Sequence, residues 1–247
     1  MTIPWLTARP IAHRGLHDKT RDVMENTASA ARAAVAGDFA IECDVQWTRD
    51  GEAVVFHDFE LERLTHGTGA VAGHDAAALA RIAFKQGADS ILPLADYLAL
   101  IAGKVPLVCE IKSRFDGDMR LARRTLAVVR AQSGPVAIKS FDPAVIAHLR
   151  SLQAEMPLGI VSEANYTHPE WSHLPQALKS RLINFLHYDE TRPDFLSWHV
   201  GDFPNAVPFL CRNGLRLPVM TWTVRTAEQR TMAAQWADQM VFEGFVP

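Results

Sequence analysis

Short apolar runs alternate with stretches of helical periodicity along most of the chain. Eight runs read as barrel strands: Ile11–His13, Phe39–Asp44, Leu107–Lys112, Val136–Phe141, Leu158–Ser162, Leu182–Tyr188, Val219–Val224 and Gln239–Glu243. Helical patterns lie between most of them. Thr27–Ala36 is Ala-rich, follows Asn26 as a cap and stops at Gly37. Arg120–Gln132, Pro143–Gln153 and Thr226–Trp236 behave similarly, the last two starting at Asp142-Pro143 and Thr226. Repeated strand–helix units of this kind predict an α/β chain folded as a (β/α)8 TIM barrel rather than an open sheet.

One element falls outside that repeat. Ala53–His57 follows the second strand after only a short turn around Asp50-Gly51. A parallel crossover needs a dozen or more residues, whereas Asp-Gly between alternating strands is a hairpin signal. The second strand is therefore expected to run on above the barrel mouth and fold back. A turn centred on Asp50-Gly51 sets His57 opposite Asp44. The stretch 58–93 lacks a barrel strand, contains the loop signal Thr65-His66-Gly67-Thr68-Gly69 and holds one helical pattern, Asp75–Ala83. It reads as a small cap inserted in a single domain spanning 1–247.

Composition narrows the class. At 247 residues the chain suits one α/β barrel with a full core. A net charge of −3 with no basic block argues against nucleic acid and charged membrane surfaces as partners. No run approaches a membrane span, so no stable membrane anchor is expected. Met1–Pro10 lacks the pattern of a secretory signal. Cys43, Cys109 and Cys211 show no disulfide or zinc spacing and read as small hydrophobes in a reducing, cytoplasmic setting.

Against this background the polar residues inside the apolar strands stand out. Glu42 and Asp44 are two apart in one strand and share a face, as do Glu110 and Lys112 in the next. Two inward carboxylates repel unless a cation lies between them, and a hard ion, Mg²⁺ or Ca²⁺, suits oxygen ligands. The plainer reading is a carboxylate pair satisfied by Arg or Lys alone. Burial cost and spacing favour a metal held by Glu42, Asp44 and Glu110. His13 ends the first strand and His57 the returning one, which suits acid–base work near neutral pH. Arg14 and Lys112 are placed to neutralise phosphoryl oxygens. Glu25 opens the first helix and either braces Arg14 or a metal-bound water, or simply supplies a helix N-terminal charge. Asp58 orients His57 or caps the insertion. Phe141 and Trp222 sit near strand ends, lining a pocket or packing the core. The other histidines, at 17, 66, 74, 148, 168, 173, 187 and 199, show no metal-like spacing and are expected at the surface or in loops.

With these residues in place, the chain resembles the glycerophosphodiester phosphodiesterase family. The matching text runs Ala12-His13-Arg14-Gly15, Glu25-Asn26-Thr27, Ile41-Glu42-Cys43-Asp44-Val45, Thr48-Arg49-Asp50-Gly51 and Val54-Val55-Phe56-His57-Asp58. It continues with Leu61-Glu62-Arg63, Leu92-Pro93-Leu94, Glu110-Ile111-Lys112, Ser140-Phe141 and Trp222-Thr223-Val224. The resemblance implies a TIM-barrel hydrolase that splits glycerophosphodiesters into an alcohol and glycerol 3-phosphate through a cyclic phosphate. It implies metal ligands at Glu42, Asp44 and Glu110, acid–base histidines at His13 and His57, and phosphate-binding cations at Arg14 and Lys112. Met24 stands where the family usually has Pro. The family's closing segment differs here, with Glu243 in the place of its Asp. The alternatives are a sphingomyelinase D-like or lysophospholipase D-like phosphodiesterase, or a non-catalytic phosphodiester-binding barrel. A metal-dependent barrel acting on a carbon acid, with Lys112 as base, leaves His13, Arg14 and His57 without a role.

Overall fold

The computed structural model describes residues 3–247; Met1 and Thr2, which belong to the expected domain and to the stretch Met1–Pro10 read above, lie outside the described residues. Nine strands form one sheet: β1 (Ile11–Ala12), β2 (Ala40–Trp47), β3 (Ala53–Val55), β4 (Leu107–Ile111), β5 (Val136–Ser140), β6 (Leu158–Ser162), β7 (Phe195–His199), β8 (Val219–Val224) and β9 (Gln239–Phe242). All but β3 pair in parallel, and β1 bonds to both β2 and β9, closing an eight-stranded barrel. Helices ring it, among them Ala28–Ala36, Leu94–Ile101, Arg120–Arg130, Pro143–Ser151, Gln176–Ile183, Ala206–Asn213 and Ala227–Trp236. The expected (β/α)8 barrel is the fold.

Two apolar layers hold it. Outward-facing strand residues such as Ile41, Cys43, Val45, Cys109 and Ile138 pack against the helices, so Cys43 and Cys109 are packing residues. Inside the barrel, Ile11, Ala40, Val108, Ala137, Phe195, Met220 and Val241 fill the lower half, closed from below by Leu6. Gly159 makes room for Phe195, since a Cβ there would lie 2.2 Å from the Phe195 ring.

Several expectations need correction. The run 182–188 is not a strand. The helix Gln176–Ile183 passes through it and a turn of helix follows at Tyr188–Thr191, and the seventh barrel strand is Phe195–His199. Leu182 and Phe185 share helical rather than alternating spacing. The true strand, Phe-Leu-Ser-Trp-His, was disguised by its polar Ser197 and His199. The first helix is capped by Thr27, whose side chain accepts from the Ala30 N–H, and not by Asn26. In the stretch 58–93 the helix is a single turn, Ala76–Leu79, after a 3-10 turn at Val71–Gly73.

The hairpin forms as expected but with its register one residue away. β2 pairs β3 as Val45↔Val55 and Trp47↔Ala53, and Phe56 donates to the Asp44 carbonyl. Five residues, Thr48–Glu52, make the turn. Thr48 N–H donates to the Glu52 carbonyl and Glu52 N–H to Thr48 Oγ1. The odd loop centres the hairpin on Asp50, so Phe56, not His57, faces Asp44. β3 then shares a small core with the inserted segment: Val54, Phe56, Leu61, Leu64, Val71, Leu79, Phe84 and Ile91 pack together with Met24.

Candidate active site

The turn after β1 begins the site. His13 donates from its backbone to the Phe242 carbonyl, and Arg14 and Gly15 follow with φ of 56° and 80°. Glycine is required at 15, because a Cβ would lie 2.8 Å from that of Ala30. This tight turn delivers the Arg14 N–H to Glu42 Oε2 at 3.1 Å.

Parallel register assembles the acidic cluster. Asp44 on β2 pairs with Glu110 on β4, and Glu110 pairs with Lys139 on β5, so three charged residues form one row across adjacent strands. Glu42, two positions before Asp44, points the same way. The three carboxylates are buried, and one oxygen from each lies within 4.8 Å of the others. That spacing and all-oxygen donor set can hold a hard divalent cation.

Every oxygen of the cluster also has a protein partner. Lys139 Nζ lies 3.0 Å from both Glu42 Oε1 and Glu110 Oε2. Lys112 Nζ lies 2.8 Å from Asp44 Oδ1 and also bonds Glu110 Oε1. Asn26 Nδ2 donates to Asp44 Oδ2 at 2.9 Å, and Arg14 Nε lies 3.3 Å from the same oxygen. Burial raises the Glu110 carboxyl, but the charges of Lys112 and Lys139 outweigh it and bring it to about 2. Asp44 is likewise held well below its ordinary range, burial being overcome by Lys112 first. Asp44 and Glu110 are therefore ionised at neutral pH, and two ammoniums lie among the three buried carboxyl groups.

Both histidines have a carboxylate behind them. His13 Nδ1 lies 2.7 Å from Glu243 Oε2, and His57 Nδ1 lies 2.6 Å from Asp58 Oδ1. Burial raises both carboxyls, yet hydrogen bonds from the imidazoles and neighbouring cations, Arg225 at Glu243 and Arg63 at Asp58, hold them far below the usual range. Ionised carboxylates only accept, so each ring donates from Nδ1 and keeps Nε2 for other work. His13 Nε2 points towards Glu42 Oε2, 4.0 Å away. The His57 carbonyl accepts from Gln46 Nε2 at 2.8 Å, which fixes the end of the hairpin.

Glu25 links the two halves. Its Oε1 accepts from Arg14 Nη1 at 2.6 Å and from Arg63 Nη2 at 2.8 Å, and Arg63 bonds Asp58 in turn. Of the two readings of Glu25, bracing Arg14 is what the geometry shows.

Above the cluster opens a cavity of about 960 Å³, lined by His13, Arg14, Asp44, His57, Glu110 and Lys112 on one side. Phe115, Phe141, Trp171 and Trp222 supply an aromatic wall to the same cavity. Phe141 packs between Trp171 and Trp222, with ring centroids 5.0 and 5.4 Å away. All the sequence-predicted site residues except Glu42 and Glu25 face this cavity directly; Glu42 lies beneath it and Glu25 behind Arg14.

Several participants escaped sequence reasoning. Lys139 sits within an apolar strand with no partner nearby in sequence. Asn26, read as a cap, instead clamps Asp44 from two sides, accepting the Asp44 N–H as well. Of the histidines expected at the surface or in loops, His17 and His173 do lie in loops, whereas His199 ends β7 and His187 is buried. His17 lies 3.9 Å from Glu243, His173 lines the cavity mouth, and His199 packs on Trp222 at 5.0 Å. His187 is wholly buried against Phe185, and burial lowers its imidazole to about 4.

Comparison with known proteins agrees with this geometry. The model of the glycerophosphoryl diester phosphodiesterase family matches residues 13–246. A glycerophosphodiester phosphodiesterase of Caldanaerobacter subterraneus is 27% identical over 228 residues, 88% of this chain and 86% of its own. Human glycerophosphodiester phosphodiesterase 1 is 45% identical over 60 residues, 24% of this chain and 17% of its own. Among solved structures, an Oleispira antarctica phosphodiesterase in complex with its product sn-glycerol-3-phosphate superimposes with a TM-score of 0.77 at 21% identity, covering 96% of this chain and 94% of its own. A glycerophosphodiester phosphodiesterase from Parabacteroides distasonis gives 0.73 at 18% identity, covering 95% and 92%. With a family match over residues 13–246, from His13 almost to the last residue, on a closed barrel, the chain belongs to the glycerophosphoryl diester phosphodiesterase family.

Proposed function

We propose that the protein hydrolyses small glycerophosphodiesters to an alcohol and glycerol 3-phosphate, with His13 and His57 exchanging protons across a phosphate gripped by Arg14 and Lys112. The observation that carries this reading is the pair of carboxylate-backed imidazoles, each with a free Nε2, opening into one cavity above a buried acidic cluster. Glu42, Asp44 and Glu110 would hold Mg²⁺ or Ca²⁺, which when bound supplies positive charge against the phosphoryl oxygens.

In the first step the substrate's own 2-hydroxyl oxygen forms a bond to phosphorus while the bond from phosphorus to the departing alcohol breaks. One imidazole Nε2 takes the hydroxyl proton and the other protonates the leaving oxygen. Water oxygen then bonds to phosphorus of the cyclic phosphate while the bond from phosphorus to the 2-oxygen breaks; with the imidazoles in exchanged roles, one takes the water proton and the other protonates the 2-oxygen, giving glycerol 3-phosphate. Arg14 and Lys112 neutralise charge on the phosphoryl oxygens. Glu243 and Asp58 fix the tautomers, and Glu25 with Arg63 holds Arg14 in place. Among the described residues no helix is long and apolar enough to cross a membrane.

The aromatic wall of Phe115, Phe141, Trp171 and Trp222 supports a second reading, a lysophospholipase D-like activity with an apolar group against that wall. The test uses chelator-stripped protein with Mg²⁺ or Ca²⁺ added back, on glycerophosphocholine, lysophosphatidylcholine and bis(p-nitrophenyl) phosphate. Release of glycerol 3-phosphate from the first, with little turnover of the third, supports the proposal. Equal turnover of the third, which has no neighbouring hydroxyl, overturns the internal nucleophile. Preference for lysophosphatidylcholine selects the second reading.

A further inference from the structure

Lys139 is the most deeply placed cation of the site. Its side chain is 2% exposed and its ammonium bridges Glu42 Oε1 and Glu110 Oε2 at 3.0 Å each. It is the fourth of the five residues of β5, two positions beyond Ala137, which belongs with Val108 to the apolar barrel floor. Lys112 differs. It follows the end of β4 and its side chain is 14% exposed against 2% for Lys139, although both line the cavity.

All six carboxylate oxygens of the cluster are partnered by protein donors, so a divalent ion must share these oxygens with the donors or displace one of them. Lys112 can swing into the cavity, where water or a phosphate receives its charge. Lys139 also reaches the cavity lining, but its side chain is only 2% exposed and it is held between Glu42 and Glu110 at 3.0 Å each, so it is the harder of the two ammoniums to displace. We propose that Lys139 is a resident cation of the metal centre: it stays between Glu42 and Glu110 when a divalent ion binds, and its fixed charge keeps that binding weak and reversible. Two consequences follow. In the metal-free protein Lys139 holds Glu42 and Glu110 together, so the ligand set survives without its ion. In the loaded protein one oxygen of each remains engaged by the ammonium. The inference rests on the metal reading of the cluster.

The test is calorimetric titration of Ca²⁺ and of Mg²⁺ into chelator-stripped wild type, Lys139→Gln and Lys139→Met. Removing a unit charge this close to the ion is expected to tighten binding at least about tenfold in both variants. The rise in Tm on adding Ca²⁺ should be correspondingly larger than in the wild type. Gln retains one donor for a carboxylate. If chelation unfolds a variant, the same titration is followed by recovery of far-UV circular dichroism. Unchanged affinity overturns the inference, because it means Lys139 leaves the cluster when the ion arrives. Weaker affinity, or no binding by any form, overturns it as well. Glycerophosphocholine hydrolysis by the wild type is measured in parallel. Turnover with unchanged variant affinities defeats this inference alone, whereas tighter binding without turnover leaves it standing and defeats the proposed activity.

Discussion

Replacing Glu25 with Gln isolates the electrostatic part of the scaffold around Arg14. The carboxylate is 7% exposed at its side chain and accepts from both Arg14 and Arg63. Burial alone would push it up; the hydrogen bond from Arg63 and the charge of Arg14 outweigh burial and take it from 4.5 to about 2. A drop of that size corresponds to about 3 kcal/mol of stability at pH 7. A folded-state value below the unfolded one means that this stability is fully present above pH 4.5 and is lost as pH falls towards 2. Gln keeps the shape but not the charge. The variant should therefore unfold with a Tm about 6–12 °C lower at pH 7. In urea denaturation the gap between wild type and variant should shrink to about 1 kcal/mol at pH 3. A gap that stays constant between pH 7 and pH 3 would refute the reasoning, since the loss would then come from packing or neutral hydrogen bonding.

Further outcomes test other contacts. Glu243→Gln removes the ionised acceptor behind His13, so kcat for glycerophosphocholine should fall about tenfold to a hundredfold with KM little changed, less than the ~10²–10⁴ lost with an acid–base group. An unchanged kcat would show that His13 does not depend on Glu243. Gly159→Ala drives a Cβ into the Phe195 ring and should cost about 1–3 kcal/mol in chemical denaturation. Phe195→Leu in the same chain should restore part of that loss, and strict additivity of the two changes would argue against their contact.

The motifs that sit next to one another in sequence were legible without the structure. Glu42 and Asp44, Glu110 and Lys112, and His57 with Asp58 need only strand alternation or adjacency to be paired. What sequence could not supply was register between distant strands. Lys139 enters the cluster because β5 aligns it with Glu110, a fact set by the tilt of the whole barrel. The partner of His13 lies 230 residues away. The local rules failed where a competing period or loop intervened. Leu182 and Phe185 are apolar in a helical rhythm, and the five-residue turn at Thr48–Glu52 moved His57 one step from its expected place. Asn26 was read as a cap because its side chain can satisfy a helix terminus, and here that chemistry is used on Asp44 instead.

The barrel closes where β1, only two residues long, meets β9, and His13 receives its carboxylate across that seam. The acidic cluster, by contrast, is built wholly from β2, β4 and β5. On the proposed function, the carboxylates that would hold an ion come from the first half of the chain while the anchor of His13 arrives with its last strand, so the non-local closure of the barrel is the step that would complete the proton-transfer pair. Partly folded or clipped molecules in which β9 has detached would retain the acidic cluster yet hold His13 without its anchor, so hydrolysis would report barrel closure more strictly than ion binding does.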